Sequence, residues 1–272
     1  MMPIDLVLVR HGESEGNVVS ELSKKGNHDA VARFKGQHGS RFRLTKKGVE
    51  QAKAAGEWIR ENIVLADSDP RTSRYYVSSY ARAMETAGHL GLPDAKWYVE
   101  MALREREWGD LDVMSYAERL ERFQASLEMK KMVPIYWIPP NGESIIQMAE
   151  SRIYRMLGTL ARECSRKRVV IVCHGEVMWA FRLLLERMPD THYNLLDASK
   201  DPKDRIHNCQ ILHYTRRNPE HGGYGDHFTH MRSVCPWDAD RSSNEWFEIK
   251  RPSFTNSSLL KRAEGYERLI ED

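Results

Sequence analysis

Two histidines, each placed after an aliphatic run and each followed by glycine, are the residues of this sequence best suited to chemistry: Arg10-His11-Gly12 after Leu6-Val7-Leu8-Val9, and His174-Gly175 after Val169-Val170-Ile171-Val172-Cys173. Neutral imidazole attacks electrophiles near pH 7 when one ring nitrogen faces the target and a hydrogen bond holds the other. A neighbouring arginine adds a planar, permanently charged fork that matches the oxygens of phosphate. Together they suit movement of a phosphoryl group, whose charge stays on its equatorial oxygens and must be neutralised. Such chemistry needs no metal. The sequence holds neither Gly-x-x-x-x-Gly-Lys-Ser/Thr nor Gly-x-Gly-x-x-Gly, so no nucleotide cofactor is expected.

The elements that must present these residues follow from periodicity. Aliphatic runs without polar alternation read as strands buried on both faces. In an open α/β sheet ligands bind beyond the carboxyl ends of the strands, where both His-Gly pairs would lie. Tyr75 to Ser79 reads as a strand feeding a helix from Tyr80 to Leu90, with Arg82 in its first turn, and Lys96 to Val99 as a further short strand. Thr45 can cap a helix carrying Val49, Ala52, Trp58 and Ile59. Ile146, Ala149, Ile153, Met156, Leu157 and Leu160 form a helical stripe, and Val177 to Met188 a buried helix. Tyr116 to Lys131 reads as a charged helix with Leu120, Phe123 and Leu127 on one face, and Lys130-Lys131 as its solvated end. The stretch Ile206 to Tyr214 reads as the last strand, and Ser257 or Ser258 as the cap of a final helix using Leu259, Leu260, Ala263, Tyr266 and Ile270.

Arg10-His11-Gly12-Glu13 with Asn17, Leu44-Thr45-Lys46-Lys47-Gly48 with Gln51, Ser78-Ser79-Tyr80-Ala81-Arg82-Ala83 with Thr86, Leu103-Arg104-Glu105-Arg106 with Trp108-Gly109, Gly142-Glu143-Ser144 with Arg152, and His174-Gly175 occur in this order. Over roughly residues 4 to 215 the chain thereby resembles the histidine phosphatase superfamily, also called the phosphoglycerate mutase-like family. The resemblance implies a three-layer αβα sandwich with a mostly parallel central sheet. It implies His11 as nucleophile, Glu105 as proton donor and acceptor, His174 as a further catalytic residue, and Arg10, Asn17, Arg82 and Gly175 as phosphate binders. Glu107 is the rival acid. An arginine at position 82 would otherwise read as a surface residue.

The activity this implies is that of a histidine acid phosphatase-type enzyme: a phosphomonoester hydrolase working through phosphohistidine on a small phosphorylated metabolite. A cofactor-dependent phosphoglycerate mutase and a non-catalytic phosphate-binding or scaffold protein are the alternatives. The position after Gly175 is Glu176 where mutases usually have asparagine, and the segment between Gly109 and Gly142 is shorter than theirs, which favours water as acceptor; the opposing readings are Lys130-Lys131 as a counterpart of that segment's basic pair and the 18–43 insertion with the long tail as a lid.

A chain of 272 residues with 41% hydrophobic content can bury a full core. The expected division is a catalytic domain over 1–215, with a loop-rich insertion at 18–43, and an extension over 216–272 packed on it. Basic and acidic residues number 41 and 39, which leaves no bulk field for nucleic acid or a membrane. The four cysteines follow no ligand or disulfide spacing, and His207, His213, His221, His227 and His230 match no compact metal motif. Neither a secretory leader nor a membrane span is visible, so a reduced, cytoplasmic protein is expected, with phosphate or a small phosphorylated substrate as its partner. The final helix offers its apolar face to the core or to a second subunit, which makes a homodimer one expected arrangement.

Overall fold

The computed structural model describes all residues except 28, 35, 65–72, 113 and 271–272. Residues 28 and 35 of the expected insertion thus lie outside the described residues. Strand β1, Asp5–Arg10, sits in the middle of a seven-stranded sheet with β2 (Ser73–Ser78), β3 (Trp97–Glu100), β4 (Arg168–Cys173), β5 (Ile211–Thr215), β6 (His230–Val234) and β7 (Phe247–Glu248), in the order β3-β2-β4-β1-β5-β6-β7. The first four are mutually parallel; β5, β6 and β7 join antiparallel.

Side chains of β1 divide between two cores by the period-2 rule. Leu6 and Leu8 pack with Met148, Ile153, Leu160 and Phe181 on one face, Val7 and Val9 with Ala52, Ala55, Ile59 and Ala83 on the other. The Lys46–Ile59 and Ala81–His89 helices therefore cover one face, and the Tyr154–Glu163 and Gly175–Glu186 helices the other. Thr45 caps the first of these through the Gly48 N–H, as its position suggests. The helical stripe from Ile146 to Leu160 is one helical run with a π turn, Ala149–Ile153, in its middle.

Four expectations are corrected. The 18–43 segment is not loop from its start, because Ser14 and Asn17 form a reciprocal capping box that starts a helix at Glu15–Lys24. The expected charged helix is present as Tyr116–Met132, but it breaks at Phe123 (φ −133°, ψ 28°), which interrupts the face expected for Leu120, Phe123 and Leu127, and it buries no residue fully. The strand near residue 210 begins only at Ile211, because Cys209 takes a left-handed conformation (φ 52°), and it is not the last: β6 and β7 extend the sheet beyond residue 215. The final helix, Asn256–Ala263, is capped by Thr255 and leaves Leu259 and Leu260 exposed, with Tyr266 and Ile270 exposed beyond it.

Gly12 and Gly48 meet face to face: a Cβ on Gly12 would overlap the Gly48 carbonyl, and one on Gly48 the Glu13 backbone. Gly48→Ala should lower the unfolding free energy by about 1–3 kcal/mol, since neither backbone can yield. Urea denaturation checks this, and an unchanged midpoint would show that the two segments can separate.

Candidate active site

The β1–β4 register pairs Arg10 with Cys173, and the next rung is His11 N–H to Cys173 O at 3.0 Å. The two histidines thus emerge side by side, with ring centroids 5.1 Å apart. Beside His11 opens a cleft of about 470 Å³ lined by Arg10, His11, Asn17, Arg82, Glu105, Arg106, Trp108, Arg119 and Lys130 among others.

His11 Nδ1 lies 2.7 Å from Gly12 O, which must receive its proton, so Nε2 carries the lone pair. Arg82 Nε–H donates to that nitrogen at 3.0 Å. Burial first, then Arg82 and Arg10, hold the His11 pKa well below the usual 6.5, so the ring is neutral at pH 7. The same causes act on His174. His174 Nε2 lies 2.8 Å from Ser78 Oγ, while its Nδ1 is buried without a partner among the described residues and 3.9 Å from Glu105 Oε2.

The arginines are held by carbonyls rather than carboxylates. Arg10 Nη1 donates to Ile206 O and Arg82 Nη1 to Gly39 O, both at 2.6 Å. Arg10 Nε is buried and unpartnered among the described residues. Buried donors without acceptors are costly unless a ligand completes them, and an anion beside His11 would do so. His11, Glu105 and His174 also place ligand atoms within 4.8 Å of one another, the geometry of a metal group. Arg82 on His11 Nε2 and Arg10 in the lining of the same cleft make the space repel a divalent cation and attract an oxyanion.

Glu105 is pushed up to about 7, chiefly by burial and further by Glu176, against the lowering effect of Arg82. Its Oε1 accepts from Arg106 N at 2.9 Å. Rival Glu107 is tied to Arg104 at 3.1 Å on the cleft wall, its side chain 42% exposed.

Other matched segments turn out to brace this cluster. Glu13 N donates to Gln51 Oε1 (2.9 Å) and Thr45 Oγ1 to Glu13 Oε1 (2.9 Å). Gly12 N donates to Thr86 Oγ1 at 3.0 Å. Arg152 donates to Ala102 O, Arg104 O and Glu105 O while pairing with Glu143, fixing the loop that carries Glu105.

Of the expected phosphate binders, Asn17 lines the cleft and Gly175 does not. Asn17 spends its Oδ1 on Ser14 N and Asn208 Nδ2, both at 3.1 Å, and offers only its amide nitrogen to the cleft. Gly175 is not among the residues lining the cleft; Arg10 Nε packs over it where a Cβ would stand 3.4 Å away. Lys130, read as a solvated helix end, lines the cleft within 5.1 Å of the Trp108 ring centroid and 5.4 Å of that of Trp137. Only Lys131 behaves as expected, pairing with Glu128 in solvent. Glu176 does not face the phosphate space freely, being 3.7 Å from the buried Arg106. Arg106 and Asn208 escaped sequence reasoning; the signal for Arg106 was its place beside Glu105, whereas Asn208 carried none.

A family model described as histidine phosphatase superfamily (branch 1) matches residues 6–215. The chain belongs to that superfamily. It is 30% identical over 193 residues, 69% of this chain and 82% of the relative, to a 2,3-bisphosphoglycerate-dependent phosphoglycerate mutase of Parvibaculum lavamentivorans. It is 28% identical over 176 residues, 65% of this chain and 31% of the relative, to a 6-phosphofructo-2-kinase/fructose-2,6-bisphosphatase of Gallus gallus. Among solved structures, a mycobacterial glucosyl-3-phosphoglycerate phosphatase is similar at TM-score 0.56 and 25% identity, covering 77% of this chain and 90% of its own. A putative alpha-ribazole-5'-P phosphatase from Escherichia coli shares the fold at TM-score 0.59 and 18% identity, covering 83% and 96%. The superfamily holds both phosphatases and mutases.

For this site, the kcat/KM profile on an alkyl phosphate should fall on the basic side near pH 7, as Glu105 loses its proton, and on the acid side only well below pH 6.5, where His11 gains one. Glu105→Gln should remove the basic limb and slow alkyl esters by roughly 100-fold or more. A basic limb that survives in this variant but disappears in Glu107→Gln would move the acid to Glu107.

Proposed function

We propose that the protein is a phosphomonoester hydrolase that works through a phosphohistidine at His11 on a small phosphorylated metabolite. The observation that carries this reading is the tautomer of His11: Nδ1 bound to Gly12 O and Nε2 turned toward the Arg82 guanidinium. When the phosphate dianion enters, Arg82 Nε–H moves from His11 Nε2 to a phosphate oxygen, with Nη1 still held on Gly39 O. Nε2 then attacks phosphorus, the bond to the ester oxygen breaks, and Glu105 gives that oxygen its proton. Water next attacks the phosphohistidine, Glu105 takes the water's proton, and the N–P bond breaks to release inorganic phosphate. Arg10 Nε and His174 Nδ1–H serve the transferring oxygens, and the Asn17 amide adds a neutral donor.

Water as acceptor is supported by the short segment between Gly109 and Gly142, since a mutase must shield its phosphohistidine from solvent. Transfer to a second substrate hydroxyl is favoured by one observation, the cationic far wall of Arg106, Arg119 and Lys130, where a second anionic group would be neutralised.

Quenching during turnover of a labelled monoester should leave acid-labile, base-stable label on the wild-type protein and none on His11→Ala, and activity should survive EDTA. Label kept by His11→Ala, or zinc-restored activity after chelation, would require another mechanism. Incubation with 3-phosphoglycerate, with and without 2,3-bisphosphoglycerate, should give inorganic phosphate rather than rapid formation of 2-phosphoglycerate; the opposite outcome establishes the mutase. Lys130→Met should raise KM roughly tenfold for monoesters with a second anionic group and leave p-nitrophenyl phosphate nearly unchanged, as expected for loss of one charge-assisted contact. Equal effects on both substrates would remove Lys130 from recognition.

A further inference from the structure

The segment from Ile206 to Gln210 runs behind the catalytic turn and touches it repeatedly. Ile206 O holds Arg10 Nη1 at 2.6 Å. Asn208 Nδ2 donates to His11 O at 3.0 Å and to Asn17 Oδ1 at 3.1 Å. The Cys209 N–H lies 3.1 Å from Arg10 O and 3.3 Å from His11 O. That reach depends on the left-handed conformation of Cys209, which a residue with a Cβ keeps only when its surroundings fix it from several sides.

The fixing from the outer side comes from residues beyond 215, outside the stretch that matches the superfamily. Trp237 Nε1–H donates to Asn208 O at 2.7 Å. Arg241 Nη1–H donates to His207 Nδ1 at 3.2 Å, while His207 Nε2–H is given to Pro202 O at 2.7 Å. The Arg241 carbonyl accepts from Gln210 Nε2 at 3.3 Å. The indole ring is itself kept in place between Lys47, 5.8 Å from its centroid, and Arg241 at 5.0 Å. Lys47 also pairs with Glu13 at 3.1 Å, so the ring is braced from the catalytic turn as well.

We propose that Trp237 is a positioning residue for His11 and Arg10: its indole N–H holds the Ile206–Gln210 segment against the backbone of the catalytic turn, so that the extension after residue 215 completes the site from behind. This rests on the reading of His11 as the nucleophile. Trp237 touches neither the cleft nor any reacting atom; it acts through Asn208 and Cys209. Loosening that segment lets the His11 carbonyl and the Arg10 fork shift relative to the phosphate position and admits water behind the ring.

Trp237→Phe keeps an aromatic ring between Lys47 and Arg241 and removes only the donor. Its kcat on p-nitrophenyl phosphate should fall roughly three- to tenfold, the range for one lost hydrogen bond. The His11 ring, followed by NMR of the 15N-histidine protein, faces Arg10, Arg82, His174 and Glu105, and all four remain in the variant. Its titration should nevertheless move up toward the ordinary histidine range as water enters. A merely structural tryptophan would lower the melting temperature and leave both kcat and the His11 titration at their wild-type values, and that result overturns the proposal. Combining Trp237→Phe with Asn208→Ala should give less than the product of the two single effects; full additivity also overturns it. Should the phenylalanine protein not fold, Arg241→Gln, which frees the segment from the same side through His207, makes the same test by the same criteria. The NMR titration does not depend on turnover, so a wild-type protein that releases no phosphate from any monoester would refute the hydrolase reading while Trp237 is still tested.

Discussion

Everything at the site depends on one rung of the sheet, the bond from His11 N–H to Cys173 O that continues the parallel ladder of β1 and β4 one residue past the strands. Because parallel neighbours end together, this rung sets two imidazoles at the same height, one facing the cleft and one fully buried behind it. A slip of one residue in that register would turn Arg10 and His11 to opposite faces, since side-chain direction alternates along a strand. The unbroken aliphatic runs in both strands, with alternate residues in two separate cores, make such a slip costly.

A second theme is how the protein holds its buried arginines on carbonyls, Arg10 and Arg82 without a carboxylate salt bridge among the described residues and Arg106 and Arg152 with one partner each, Glu176 and Glu143. Arg10 and Arg82 lean on carbonyls of Ile206 and Gly39, Arg106 on those of Glu143 and Trp137, and Arg152 on those of Ala102, Arg104 and Glu105. Carbonyl dipoles satisfy N–H groups while leaving the net charge in place. The cleft therefore holds positive potential for a dianion, and that potential adds to burial, the larger cause, in lowering the histidine pKa values. Burial, with Glu176 nearby, raises Glu105 to about 7, so that beside two neutral histidines it holds a proton near neutral pH.

How much of this was legible in the sequence differs from residue to residue. His11 and His174 stand at the ends of strands whose continuous aliphatic runs declare themselves, whereas Arg82 and Glu105 lie in segments that read as solvated and are marked only by the family resemblance. Thr45 and the Ile146–Leu160 stripe were legible for equally local reasons, a cap and a period. What failed was long-range. Strand β6 buries only Met231 and Val234 out of His230-Met231-Arg232-Ser233-Val234, and β7 buries neither of its residues, so no alternation marks them. Lys130 turns inward because its helix is broken at Phe123, and the tryptophans that flank it come from positions 108 and 137. Asn208 and Trp237 are adjacent only through the pairing of β5 with β6, which their own sequence neighbourhoods do not announce.

The face-to-face glycines separate two kinds of information that a sequence motif mixes. Gly12 stands inside Arg-His-Gly for want of room, its missing side chain taken up by the carbonyl of Gly48, and what it lends to the proposed reaction is a backbone carbonyl that any residue carries. A relative that had abandoned catalysis but retained the architecture would be expected to keep both glycines while position 11 drifted. One that had lost Gly12 while preserving the histidine would have to rebuild the approach of a whole helix. The invariance of a signature is therefore a poor gauge of activity, and its histidine and its glycine should be weighed as separate witnesses, one to chemistry and the other to shape.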